Sequence, residues 1–239
     1  MYSFDSCIRY SEVGPDRKAK LSSVIDYFQD CSTFQSEYLG NGLEILEREK
    51  RAWLVSSWQV EIVRLPKITE KVKVSTWPYD FKAFYGYRNF VMTDESGTDI
   101  AYAASIWINY DAASGRPMKI EPKHVEKYPK EAPYPMEYAP RKIELPSGGE
   151  KLEPFKVHAA YIDNNKHVNN AVYMKLAECY LPEGASVTGF RIDYRAQARL
   201  GDVMHPLVSN GEEDTTVVFA DDEGKPYAII KFYFGSRRD

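Results

Sequence analysis

Apolar positions recur along the chain with two different periods. From Leu21, the stretch LSSVIDYFQDCSTFQSEYLGNG places Leu21, Val24, Ile25 and Phe28 at i, i+3, i+4 and i+7, with Gly40 where a C-terminal cap is expected. This predicts an amphipathic helix of about five turns. A short charged helical piece, LEILEREK, follows. The period then changes to two: in AWLVSSWQVEIVRLP, Trp53, Val55 and Ser57 alternate with Leu54, Ser56 and Trp58, which reads as a strand. KVKVSTWPYD, FYGYRNFVMTDESG and TDIAYAASIWINYD continue in the same manner, rich in β-branched and aromatic residues and separated by turn residues. One long helix followed by four strands predicts an α+β arrangement, with an antiparallel sheet packed on a helix.

Pro117, Pro122, Pro129, Pro133, Pro135, Pro140 and Pro146 are half of the chain's 14 prolines. Such a density opposes both helix and central strand, so the region reads as an extended linker over the surface, closed by Gly148 and Gly149. The expected division is 1–128 as a first domain, 129–150 as linker and 151–239 as a second domain. Beyond the linker the first pattern returns in shortened form. NNAVYMKLAECYLP carries Tyr173, Leu176, Ala177 and Tyr180 on one helical face, with Asn169 or Asn170 as N-cap and Pro182 past its end. Cys179 on this helix is expected in the core. GFRIDYRAQARLGDVM then parallels QVEIVRLPKITEKVKV, and VVFADDEGKPYAIIKFYF parallels the acidic-Gly hairpin of the first half. The same order on both sides of a linker predicts an internal duplication.

Composition narrows the function classes. With 44% hydrophobic and 14% aromatic residues among 239, the chain can bury a large core. A net charge of −4 gives no general attraction for nucleic acid or anionic membranes. The 3 cysteines are far apart and show no metal-like spacing, which fits a reducing compartment and predicts no metal site and no disulfide framework. No run approaches the ~18 apolar residues of a membrane span, and the N-terminal residues lack a signal-peptide pattern. A cytoplasmic location is the expectation.

The concentration of chemistry is YIDNNKHVNN, residues 161–170, immediately before the second helix. Asn and Asp are the residues that turns and N-caps use, so a polar turn is one reading of this stretch. A reaction centre at a helix N-terminus is the other, because free backbone N–H groups and the positive end of the helix dipole face whatever lies before the helix. If the segment is extended, alternation puts Asp163, Asn165 and His167 on one wall.

Asp163, Asn165, His167, Asn169 and Asn170, set between a linker and a second helix–sheet repeat, resemble the motif of the acyl-acyl-carrier-protein thioesterase family. The resemblance spans essentially the whole chain. It implies a double hotdog, each half a long helix wrapped by an antiparallel sheet, with the acyl chain in the first half and catalysis in the second. It also implies hydrolysis of a fatty acyl thioester on acyl carrier protein, without metal or organic cofactor. A further family landmark is Tyr-Arg-x-Glu-Cys. Here Tyr194 and Arg195 agree, while Gln197 and Ala198 stand where plant members carry Glu and Cys.

Thioester hydrolysis needs an attacking oxygen, a group that takes its proton, and donors for the developing oxyanion. By their own chemistry Asp163 is a candidate base or nucleophile, His167 and Asn165 can polarise or orient, and Gln197, where the family has Glu, can place water, since an amide can orient a water but cannot deprotonate it. An acyl-CoA thioesterase of the same fold and a non-catalytic acyl-binding protein are the alternatives. The sequence leaves monomer and homodimer open.

Overall fold

In the computed structural model, residues 1–163 and 166–235 are described. They fall into two compact units, Met1–Ala139 and Pro140–Asp239. The first opens with β1 (Tyr2–Cys7) and a single 3-10 turn, then α1 (Leu21–Tyr38), α2 (Leu43–Arg48), β2 (Arg51–Ile62), β3 (Lys71–Lys82), β4 (Tyr85–Asp94), β5 (Asp99–Asp111), β6 (Arg116–Pro117) and α3 (Pro122–Val125). The second contains β7 (Glu150–Lys151), β8 (Phe155–Lys156), α4 (Asn170–Glu178), β9 (Val187–Tyr194), β10 (Val203–Asn210), β11 (Asp214–Ala220) and β12 (Pro226–Phe234).

The predicted long helix is α1. Leu21, Val24, Ile25, Phe28 and Cys31 are buried on its inner face, and Gly40 adopts φ +63° just past its end, a conformation that favours glycine. The sheet of this unit runs β1-β3-β4-β5-β2, all pairs antiparallel. Its inner floor is apolar, with Val60, Val74, Phe90, Met92, Ala101 and Ala103 at or near zero exposure. Two local details depart from the sequence expectation. The alternation through residues 53–58 is broken by a bulge between Val55 and Ser57, which leaves Val55, Ser56, Ser57 and Trp58 all buried. β1 was not anticipated, because six residues with alternating polarity give little signal without the neighbouring strand.

Pro78 lies inside β3, but past Thr76, the last residue paired with β1, and beside a register shift. Its missing N–H costs no ladder bond there. The proline-rich stretch holds one short helix, α3, because Pro122 occupies the first turn, where a proline is tolerated. Further along, the stretch is fastened to the outer face of the first sheet. Trp77 Nε1 donates to Ala132 O (2.8 Å), and the buried Asn89 Oδ1 accepts from both Tyr134 N and Tyr138 OH (3.0 Å each).

The second unit repeats the first. Its sheet runs β9-β12-β11-β10-β7, with β8 also on β10 and all pairs antiparallel. After each helix, the four main strands occupy the same relative places: β3-β4-β5-β2 in one unit, β10-β11-β12-β9 in the other. Each unit is thus the helix-on-antiparallel-sheet α+β arrangement expected, the hotdog fold. α4 is half the length of α1 and buries Ala171, Tyr173, Met174 and Ala177. Because it stops at Glu178, Cys179 is a solvent-exposed C-cap, its Sγ donating to Lys175 O (3.4 Å), and not the core residue expected.

Candidate functional site

The stretch before α4 folds back on itself. Ile162 and Val168 form an antiparallel bridge, Asp163 N donates to His167 O (2.9 Å), and Lys166 N donates to Asp163 O (3.1 Å). Lys166 takes the left-handed conformation at φ 64° to close the turn. His167 N points to Asp163 Oδ1 at 3.4 Å, the long end of hydrogen-bond range. Asp163 and His167 therefore approach each other through these backbone bonds. Asn165 lies outside the described residues.

Asn169 caps the helix: its Oδ1 accepts from Ala171 N at 2.8 Å. Its own N donates to Tyr161 O (2.8 Å), tying the two ends of the loop together. Tyr194 OH donates to Asn170 O (3.0 Å), so the landmark tyrosine holds the start of α4 to β9. The landmark Arg195 has a scaffold part. Its Nε donates to the buried Asp193 (2.9 Å), its Nη2 donates to Ile143 O, and Asp193 also accepts from Ile143 N (3.2 Å).

Gln197 reaches this region through the backbone. Val168 N donates to Ala198 O at 2.9 Å, joining the segment after β9 to the segment before α4. Ala198 and Val168 are buried at 0% and 4% exposure. Gln197 and Arg199 flank Ala198 in the chain, as His167 precedes Val168. Gln197 and Arg199 are exposed, whereas Asp163 and His167 are half-buried. The Tyr173 hydroxyl is buried near the Ala198 amide, outside good hydrogen-bond geometry, and burial pushes its pKa up.

The charge environment favours a neutral imidazole. Burial holds His167 below its usual pKa, the positive charge of Arg199 adds to this, and Asp163 opposes it. Its Nδ1 is buried with no hydrogen-bond partner among the described residues. Arg199 was missed by sequence reasoning; the available signal was its place two residues from Gln197. The other histidines lie elsewhere: His205 pairs with Asp222 on the surface (2.7 Å), His158 is exposed, and the buried His124 accepts from Glu121 N. Among the described residues, no group of His, Cys, Asp and Glu could hold a metal ion, and no helix is long and apolar enough to cross a membrane.

Comparison with known proteins agrees with this construction in both units. The family model described as acyl-ACP thioesterase N-terminal domain matches residues 2–128, and that described as acyl-ACP thioesterase C-terminal domain matches residues 146–229. An acyl-[acyl-carrier-protein] hydrolase, chloroplastic, of Cuphea viscosissima is 25% identical over 222 residues, covering 84% of this chain and 53% of the relative. The oleoyl-acyl carrier protein thioesterase, chloroplastic, of Coriandrum sativum is 22% identical over 233 residues, covering 88% and 63%. The chain thus spans about half the length of the first of these and under two thirds of the second. Among solved structures, an acyl-ACP thioesterase from Bacteroides thetaiotaomicron superposes with TM-score 0.89 at 21% identity, covering 98% of this chain and 97% of its own. A 12:0-ACP thioesterase from Umbellularia californica gives 0.86 at 19%, covering 99% and 97%. At these identities the superpositions speak for the fold, and it is the family models, matched in order across both units, that show this chain to belong to the acyl-ACP thioesterase family.

Proposed function

We propose that this protein hydrolyses the thioester of a fatty acyl group carried on acyl carrier protein, releasing free fatty acid as part of fatty acid biosynthesis in the cytoplasm. The observation that carries the reading is the Val168–Ala198 backbone bond, which joins the Asp163–His167 turn to the Gln197 segment at the start of a capped helix. Water oriented by the Gln197 amide attacks the thioester carbonyl carbon while Asp163, assisted by His167, takes its proton. The tetrahedral oxyanion is stabilised by the dipole and N–H groups at the start of α4, with Asn165 as a further donor. Collapse breaks the C–S bond, and the departing thiolate recovers a proton, leaving carboxylic acid and thiol.

A variant of this chemistry makes Asp163 the nucleophile, forming an acyl anhydride that water then resolves. Trapping an acylated Asp163, or finding label from isotopic water in that side chain after one turnover, selects the nucleophilic route. The experiment for the function as a whole measures free acid released from matched acyl-carrier-protein and acyl-CoA substrates. Higher kcat/KM on the carrier protein, lost in folded Asp163→Ala and His167→Ala variants, supports the reading. Preference for CoA changes the carrier. Absence of hydrolysis on any acyl carrier favours a non-catalytic acyl-binding protein, the reading to which Gln197 and Ala198 lend weight by replacing Glu and Cys.

A further inference from the structure

The first unit contains a row of polar groups inside an otherwise apolar interior. Arg88 on β4 stands opposite Ser105 on β5, and Ser105 stands opposite Trp58 on β2, so the three are successive neighbours across the sheet. They face α1: Arg88 Nη1 donates to Gln35 Oε1, and the Trp58 ring stacks near Phe28 (6.3 Å). Arg88 keeps only 8% of its surface accessible, Ser105 and Trp58 1% each.

The donors in this row outnumber the acceptors. A guanidinium has five N–H donors. Both of its protein hydrogen bonds leave from Nη1, to Gln35 and to Thr76 Oγ1 (3.1 Å), and both partners are neutral. Among the described residues none leaves from Nε or Nη2, and no carboxylate pairs with Arg88. The Tyr128 ring covers it at 5.8 Å. Burial lowers Arg88 to about 10, which leaves it charged at neutral pH, and raises the adjacent Cys31 thiol to about 12, which leaves that group neutral. Trp58 Nε1 is buried without a hydrogen-bond partner, while the neighbouring Trp107 Nε1 is satisfied by Ser105 Oγ (2.6 Å). A buried cation lacking an anion, and a buried indole N–H lacking an acceptor, each carry a desolvation cost that an acceptor-bearing ligand would offset.

We propose that Arg88, with Trp58 Nε1 and the Ser105 hydroxyl, binds the terminal carboxylate of an aliphatic chain lying between α1 and the first sheet. Arg supplies the paired donors a carboxylate takes, and the buried Phe28, Phe90 and Ala103 make the surroundings of the row apolar. The inference rests on the reading of this chain as an acyl-handling protein but not on its catalysis. Two sources share this chemistry: a free fatty acid bound by its own carboxylate, and an acyl group whose far end carries a carboxylate.

Calorimetric titration with a series of fatty carboxylates and their matched fatty alcohols tests the site without turnover. The carboxylate is expected to bind about tenfold more tightly than the alcohol, a difference of about 1.4 kcal/mol. Arg88→Met, which replaces the buried charge with an apolar chain of similar length, is expected to abolish that preference while circular dichroism and Tm report an intact fold. Trp58→Phe keeps the ring, removes the donor, and is expected to reduce the preference several-fold, which holds the test open should Arg88→Met not fold. Inhibition by free acid that Arg88→Met relieves assigns the site to the free fatty acid. A higher kcat/KM for ω-carboxyacyl than for methyl-ended thioesters, lost in the same variant, assigns it to the far end of the acyl group. No preference for carboxylate in the unaltered protein, or a preference that survives in the folded variants, overturns the proposal. Absent thioesterase activity together with a normal carboxylate preference would sink the functional reading alone.

Discussion

Replacing Asp163 by Asn isolates its charge from its place in the turn. The backbone bonds Asp163 N to His167 O (2.9 Å) and Lys166 N to Asp163 O (3.1 Å) are indifferent to the side chain. One side-chain contact, His167 N to Asp163 Oδ1, is long at 3.4 Å, and the Asn amide oxygen can accept there equally. Loss of stability should therefore stay below about 1 kcal/mol, within the net worth of one ordinary hydrogen bond. The reaction should suffer far more, because an amide neither takes a proton nor attacks as a carboxylate does. Removing a general base typically costs about 10²–10⁴-fold in rate, or about 3–5 kcal/mol of barrier. Removing the negative charge also takes away the interaction that opposes depression of the His167 pKa. Imidazole titration followed by NMR should thus show His167 moving further down. The rate is read by thiol release from acyl carrier protein, with Tm as the check on folding. A folded Asp163→Asn variant retaining activity within tenfold of the unaltered protein would refute Asp163 as base or nucleophile.

Four further outcomes are expected. Gln197→Ala should lower kcat with little change in Tm, since the residue is exposed, and full activity in that variant would remove the water-orienting role. His167 has a folded pKa below its ordinary ~6.5; its neutral form contributes stability above that value, and the contribution is lost as pH falls through the folded pKa. If neutral His167 assists proton transfer, the acid limb of the rate profile follows the same titration, and Arg199→Ala should move that limb to higher pH; an unmoved limb would show that another group sets it. Asn169→Ala removes the cap of α4 and should cost about 1 kcal/mol, read as a fall of about 2–4 °C in Tm. Tyr194→Phe deletes the bond to Asn170 O (3.0 Å) and should lower Tm modestly while reducing kcat more than it raises KM, because it loosens the helix start; unchanged kinetics would limit Tyr194 to the scaffold.

Period alone determined much of this protein. The 3.6-residue recurrence of Leu21, Val24, Ile25 and Phe28 gave α1 its buried face, and period-two stretches gave the strands, because both reflect which side of an element leaves water. The order of elements repeated on either side of a proline-rich stretch was enough to expect duplication, and the matching strand orders in the two units agree with it. The composition of YIDNNKHVNN singled that stretch out as the candidate site, and Asn169 acts as the cap expected of Asn169 or Asn170. Only the tertiary structure decided how those residues meet. Asp163 and His167 approach because a left-handed Lys166 closes a turn, a conformation that periodicity does not encode. The segment carrying Gln197 and Arg199 is joined to that turn because a backbone bond crosses from residue 168 to residue 198, a pairing set by strand order and packing. Arg88 and Trp58, thirty positions apart, read as ordinary members of two amphipathic strands. The unmet Trp58 Nε1 donor, and the absence of a carboxylate beside Arg88 among the described residues, emerge only when Ser105 is placed between them, since hydrogen-bond satisfaction of a buried group belongs to the neighbours the fold supplies and not to the residue itself.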